Sequence, residues 1–415
     1  MMKLIKTVAA MAGFLIVFNF IGMSHAQPPG IYENPWNKGN MRRYMDKPIP
    51  SNEFFTTLII HNVEPHVGKY GQDKSPGIAV GLVTREGDIA LGFGQVNIGL
   101  PMPVDGNTIF GIGSISKLFT GLILANGVAH GELSLSDKAN KWLKKDMQID
   151  DRITLRHLVS HYSGLPNFPG NIISRKEVSW DKETAELMPA KDYTRQNLTD
   201  CIKQHVCDPD QGVPGKKYIY SNLGIGLLSI VLQNRYGFSD FETLNREKLT
   251  NVLNMKRTAT NIPDFIRRNK SNMAQGYQYD GQSNRFKPVV LSDMGVLAGA
   301  GELVSCANDM NLLMGQLIGL RPGSLDMAAR EAQRVLGDVE PEGTKVAYAH
   351  EIKYIRSGAE IHFKTGATPG FTGIVMWRDK PKVGLVILSN RGRFKILKPL
   401  SQKLMGTISQ ILIKT

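Results

Sequence analysis

Cysteine is scarce in this chain. Three in 415 residues exclude a disulfide-built scaffold, and none has the C-x-x-C spacing of a structural zinc site. Cys201 and Cys207 are near enough in sequence to pair in an oxidising compartment; three separate buried thiols are the alternative. Acidic residues are outnumbered, 37 against 50 basic ones, for a net charge of +13. The excess is scattered, with local concentrations at 141–145 and 391–398. Neither has the interleaved aromatics of a nucleic-acid binder, so no nucleic acid is expected as a partner. Beyond the first residues no apolar run is long enough to cross a bilayer, so no stable membrane span is expected. G-x-S-x-G is absent, which excludes a lipase-type nucleophile elbow. His157 and His161 lie four apart but without the acidic residue of H-E-x-x-H, and read as surface or core histidines. Neither a metal nor a cofactor is called for.

What the chain does contain begins with an export signal. Lys3 and Lys6 precede a mostly apolar stretch from Val8 to Ile21, and Ser24-His25-Ala26 offers small residues for a signal peptidase. A membrane anchor is the competing reading, but Gly13 and Asn19 interrupt a run already short for a span. A periplasmic or secreted protein is expected, with residues 1–26 removed. Residues 27–52 form a Pro-, Gly- and Asn-rich arm, and 53–70 a helix. Strands are expected at 77–84 and 89–96 around the hairpin turn Arg85-Glu86-Gly87-Asp88. From 133 to 310 the pattern is mainly helical. It includes a short helix at 153–162 and an apolar one at 223–232 that ends near Gly237. Strand character returns at 359–366, 373–377 and 383–388, before an amphipathic helix at 395–413. The expected fold is α/β (α+β): an antiparallel sheet flanked by helices and closed by both termini. The domain reading is 27–132 and 311–415 as one α/β lobe, with 133–310 as an inserted all-helical lobe and the active site between the two.

One stretch stands out for chemistry. Ser114-Ile115-Ser116-Lys117 joins a glycine-punctuated extended segment to an apolar helix, placing a hydroxyl and an amine one turn apart. A serine becomes a nucleophile when a neighbouring base takes its proton, and a desolvated lysine can do so. A plain helix N-terminus explains the same residues as well, and Ser179-Trp180-Asp181-Lys182 repeats the spacing without the context. Two further motifs follow in order. Tyr220-Ser221-Asn222 puts a phenol and an amide on one side of an extended backbone. Lys364-Thr365-Gly366 ends a strand with an ammonium, a hydroxyl and a residue that leaves the strand edge open to a peptide.

These three motifs in this order resemble the class C β-lactamase family and its relatives among the penicillin-binding DD-peptidases. The resemblance extends through 110–121, 155–166, 214–228, 299–310 and 364–390. It implies Ser114 as the nucleophile that forms an acyl-enzyme, with Lys117 and Tyr220 sharing the proton work. It also implies Asn222 as the residue that orients substrate, Lys364, Thr365 and Asn390 near the substrate carboxylate, and Gly366 and Ala367 along the substrate-binding strand. The backbone N–H groups of Ser114 and Ala367 would form the oxyanion hole. Substrates implied are a β-lactam or a D-Ala-D-Ala peptide, with peptidoglycan as a possible polymeric partner, acted on by a monomer. Ser221 stands where the typical class C enzyme has alanine, and Pro369 where it has glycine. β-Lactamase, DD-carboxypeptidase or endopeptidase, and esterase activities all use these residues. A catalytically silent scaffold would be expected to have lost some of them.

Overall fold

The structure, a computed structural model, describes residues 51–67, 76–172 and 193–414, apart from residues 206, 209–211, 261–262, 282, 284, 292, 340–342, 355–358 and 393–394. The export segment, the arm up to residue 50, Tyr70 and the Ser179 motif lie outside the described residues.

The strands are β1 (Ile78–Thr84), β2 (Gly87–Phe93), β3 (Phe110–Gly111), β4 (Gly276–Asp280), β5 (Arg285–Val289) and β6 (Val304–Ser305). They continue with β7 (Gly337–Val339), β8 (Thr344–Val346), β9 (Glu351–Tyr354), β10 (Glu360–Ala367), β11 (Thr372–Arg378) and β12 (Val383–Ser389). Eight of them form one sheet in the order β2-β1-β12-β11-β10-β9-β8-β7, and every neighbouring pair is antiparallel. The last strand therefore pairs with the first, Ile78 opposite Ser389 and Leu82 opposite Leu385.

Strand alternation explains why the sheet is buried on both faces. Ile78, Val80 and Leu82 point one way and join Ile361, Phe363, Ile374, Met376 and Ile387. Two helices cover that side: α1 (Asn52–Val63), capped by the Ser51 hydroxyl, and the C-terminal Leu397–Lys414. Leu400, Leu404 and Ile408 of the C-terminal helix are buried there, each worth about 2 kcal/mol of apolar transfer. Ala79, Val83, Val375, Trp377, Val386 and Leu388 point the other way into a larger core. That core includes α2 (Ser116–Ala129), α3 (Leu155–Val159), α4 (Arg195–Lys203) and α5 (Asn222–Tyr236). The α5 helix ends as expected, on Gly237 in the left-handed conformation. Cys201 and Cys207 form a disulfide at the end of α4, and Cys306 is a buried free thiol. Among the described residues no helix is long and apolar enough to cross a membrane.

Two corrections follow. The segment 133–310 is not all helical, because β4 and β5 form a hairpin and β6 pairs with β3. The sheet also runs on through β7, β8 and β9, three short strands that the sequence reading left out. Short strands with mixed exposure, such as β5 with its exposed Lys287 and Pro288, carry too little alternation to stand out.

Candidate active site

The site is assembled where α2, α5 and β10 converge. Ser114 lies in a 3-10 turn, Gly113–Ile115, that leads directly into α2 at Ser116. Gly113 has φ +50° and lies so close to Ala367 that a Cβ would sit 2.9 Å from both its nitrogen and its oxygen. The turn is fixed from behind by Ser116, whose hydroxyl donates to the Gly113 carbonyl at 2.7 Å and accepts from the Leu303 N–H at 3.0 Å. Ser114 itself is half-buried, while Ser116 and Lys117 are fully enclosed.

Lys117 donates to Ser114 Oγ at 3.0 Å, to Asn222 Oδ1 at 2.7 Å and to the Ala300 carbonyl. Tyr220 OH also donates to Ser114 Oγ, at 2.7 Å. Asn222 is at the first turn of α5, and its Nδ2 donates to Asn167 Oδ1 at 2.8 Å. Ser221 caps α5, its hydroxyl accepting from the Gly224 N–H at 2.8 Å and donating to the Pro166 carbonyl at 2.7 Å. The residue between Tyr220 and Asn222 thus has a structural task of its own.

Lys364 lies on β10 with its Nζ 5.2 Å from the Tyr220 ring centroid; Lys117 Nζ is 4.9 Å from the same ring. Burial pushes the Lys117 amine below the ordinary lysine value, and the Lys364 charge adds to that push against the pull of Tyr220. Burial alone would raise the Tyr220 phenol, but the two ammonium groups and its hydrogen bonds bring it below the ordinary tyrosine value. Lys364 goes the other way. Its burial is outweighed by the Glu351 carboxylate at 2.8 Å and by Tyr220, so it is held as an ammonium.

His161 completes the cluster. Its ring packs 4.5 Å from the Tyr220 ring, and its Nδ1 accepts from the Ser221 N–H at 3.2 Å. Burial, with Lys364 and Lys117 nearby, holds it neutral, well below the ordinary histidine value. The neighbouring His157 turns instead to the Thr154 N–H in the capping box of α3.

Sequence reading did not find Glu351, Asn167, Ala300 or His161 as members of this cluster. The first three arrive from distant segments and carry no local signal. His161 shows in the sequence only its spacing to His157.

Two sequence expectations need correction. Asn390 is fully buried, with its amide taken up inside the protein. Nδ2 donates to the carbonyls of Gln95, Val96 and Gln275 at 3.2, 3.2 and 2.9 Å, and Oδ1 accepts from the Gly77 N–H at 2.5 Å. It clamps three loops to the sheet and has no group left for a substrate carboxylate. Gly366 is small for another reason than an open edge. A Cβ there would lie 2.0 Å from the Ile112 carbonyl, so glycine lets the Ser114 turn press against β10. The edge is nevertheless open: β9 pairs with β10 only as far as Phe363, which leaves 364–367 without a partner strand on that side. Alternation puts Lys364 on the face toward Tyr220 and the partly exposed Thr365 on the opposite one, and Ala367 is exposed at the end.

A half-buried hydroxyl touched by an amine and a phenol, beside an open strand end, is suited to acyl transfer. The profile of the Beta-lactamase family matches residues 45–396. The chain belongs to the β-lactamase family. It is 25% identical over 358 residues to a β-lactamase of Escherichia coli (strain K12), an alignment covering 77% of this chain and 85% of that one. Solved structures share the fold. A β-lactamase/D-alanine carboxypeptidase from Pseudomonas syringae superimposes with a TM-score of 0.66 at 21% identity, covering 85% of this chain and 98% of the other. An octameric penicillin-binding protein homologue from Pyrococcus abyssi also gives 0.66, at 23% identity, with 85% and 77% covered. As a β-lactamase-family protein the chain is a serine hydrolase of the β-lactamase or DD-peptidase type.

Proposed function

We propose that this chain is an exported, class C-type enzyme that opens β-lactams through an acyl-enzyme on Ser114. The observation that carries the reading is the double contact at Ser114 Oγ, from Lys117 at 3.0 Å and Tyr220 at 2.7 Å. In this scheme Lys117 and Tyr220 take the serine proton as Oγ attacks the lactam carbonyl. The oxyanion forms against the N–H groups of Ser114 and Ala367, each such donor contributing roughly 3 kcal/mol to the transition state. The C–N bond then breaks, and the shared proton passes to the leaving nitrogen. A water activated by the same pair attacks the ester and frees Oγ. Asn222 orients the substrate amide through its remaining N–H, and the substrate carboxylate lies on the Lys364 side of β10, with Thr365 turned to the other face.

The disulfide and the apolar N-terminal segment support export to the periplasm or beyond. Action as a monomer is part of the proposal. The 133–310 segment is proposed as a second lobe, contributing Tyr220 and Asn222 to a cleft completed by β10.

A second reading, a DD-carboxypeptidase acting on peptidoglycan peptides, is favoured by one feature: the unpaired edge of 364–367, along which a peptide can lie as an added strand. Turnover of a chromogenic cephalosporin by the mature protein and by Ser114→Ala, with intact-mass detection of a penicilloyl adduct, distinguishes the two. Rapid multiple turnover that disappears in the variant fits the first reading. A persistent adduct with D-alanine release from a peptide fits the second, and neither reading survives a protein that does none of these.

A further inference from the structure

A cavity of about 880 Å³ opens at the far end of β10 from Ala367, lined in part by Arg330, Glu360, His362, Asp379 and Lys380. No step of the proposed mechanism uses it. Its volume is that of a small-molecule site, and one wall is unusual. His362 is only 4% exposed, stacked on Trp377 with ring centroids 5.2 Å apart, and its Nδ1 lies 3.0 Å from Nε2 of the buried His350.

The proton positions follow from what each partner can do. His350 Nδ1 lies 3.3 Å from the Tyr348 carbonyl, which only accepts, so Nδ1 carries the His350 proton. His350 Nε2 is then an acceptor, and His362 Nδ1 donates to it. Burial holds both rings neutral, so this chain of hydrogen bonds leaves His362 Nε2 as a bare lone pair. It lies 3.8 Å from Glu360 Oε2, another acceptor. Glu360 also accepts from the Tyr354 hydroxyl and keeps lone pairs to spare, so a group on the cavity wall could donate to it and to His362 Nε2 together.

We propose that this cavity binds the ammonium group of a small zwitterionic ligand, an amino acid or short peptide, between His362 Nε2 and Glu360. A resident metal ion is disfavoured, since no cluster of three His, Cys, Asp or Glu side chains able to hold one occurs among the described residues. Lys380 and Arg330, the latter also acting on Asp326 of the same wall, supply positive charge for the ligand's carboxylate. The inference is independent of the reaction proposed at Ser114.

The test uses the full mature protein carrying Ser114→Ala, so that no turnover intervenes. Triglycine, N-acetyl-triglycine and zinc chloride are titrated in turn, followed by calorimetry and by the imidazole nitrogen resonances. Triglycine is expected to bind saturably and move the His362 Nε2 signal, and the acetylated peptide to bind at least tenfold more weakly. His362→Phe should abolish binding. Glu360→Gln, a change at a half-exposed side chain that leaves the fold intact, should weaken it several-fold. The proposal is overturned by absent saturable binding, by equal binding of the acetylated peptide, or by binding that survives in both variants. It is also overturned if zinc, but not triglycine, moves His362.

Discussion

Two buried polar clusters sit near the same end of the sheet, where β10 stops at Ala367 and β12 at Ser389, and they behave as opposites. Around Asn390 each amide atom meets backbone: three carbonyls on one side and the Gly77 N–H on the other. Around Lys117 the same kind of network ends on a half-buried hydroxyl whose oxygen accepts from two side chains. The first arrangement fixes loops and leaves nothing to react. The second leaves one hydroxyl within reach at the surface of a cluster whose amine and phenol are both pushed toward their basic forms. Burial and hydrogen bonding alone therefore do not mark a catalytic residue; a reachable atom at the end of the network does.

The largest break in this contrast comes from Ser114→Ala. Hydrolysis by the purified protein should fall by about 10⁴-fold or more with the melting temperature unchanged, since only a half-buried hydroxyl is lost. Lys117→Ala should lower acylation by roughly 10³-fold. It should also reduce stability, because Asn222 Oδ1 and the Ala300 carbonyl lose a buried donor; stopped-flow acylation and chemical denaturation report the two separately. Asn390→Ala should give the reverse pattern. Unfolding free energy should fall by roughly 3 kcal/mol as several buried backbone groups lose their partner, while the folded fraction keeps its turnover within about threefold.

Acid should weaken the fold through its buried histidines. His362 has its pKa lowered to about 4 from 6.5 in the unfolded chain. The unfolded chain then binds the proton first, and the stabilisation, fully present above pH 6.5, drains away as pH falls. Between pH 6.5 and pH 5 the loss from this group is on the order of 2 kcal/mol, measurable as a fall in denaturation midpoint that His362→Phe removes. The smallest effect is a displacement of the pH profile. Lys364 lowers both the Lys117 and Tyr220 values. Replacing it by methionine should therefore move the acid limb of kcat/KM to higher pH. Replacing Glu351 by glutamine should move it lower, because Glu351 raises Lys117.

The sequence carried a good part of this. The helix after Ser114, the glycine stop at Gly237 and the strands β1, β10, β11 and β12 follow from apolar spacing and turn residues, which are local properties. The disulfide was one of two open readings, because spacing alone does not say whether two thiols face each other. The strands β4, β5 and β7 to β9 are short and half-exposed, and their pairing depends on neighbours far along the chain. Glu351 was missed for the same reason: its meaning comes from the 2.8 Å contact with Lys364, thirteen residues later across a strand pair. Asn390 shows the opposite failure. A motif resemblance assigned it to substrate, and only the three-dimensional tally of its partners shows it to be a clamp.

The central claim is that Ser114 Oγ is the acylated atom. It is tested most directly by quenching the protein with benzylpenicillin in acid, at short times, and mapping the adduct by peptide mass spectrometry. The account predicts a single penicilloyl group on the peptide containing Ser114, absent from Ser114→Ala. An adduct on another residue, or turnover that persists in Ser114→Ala, would contradict it.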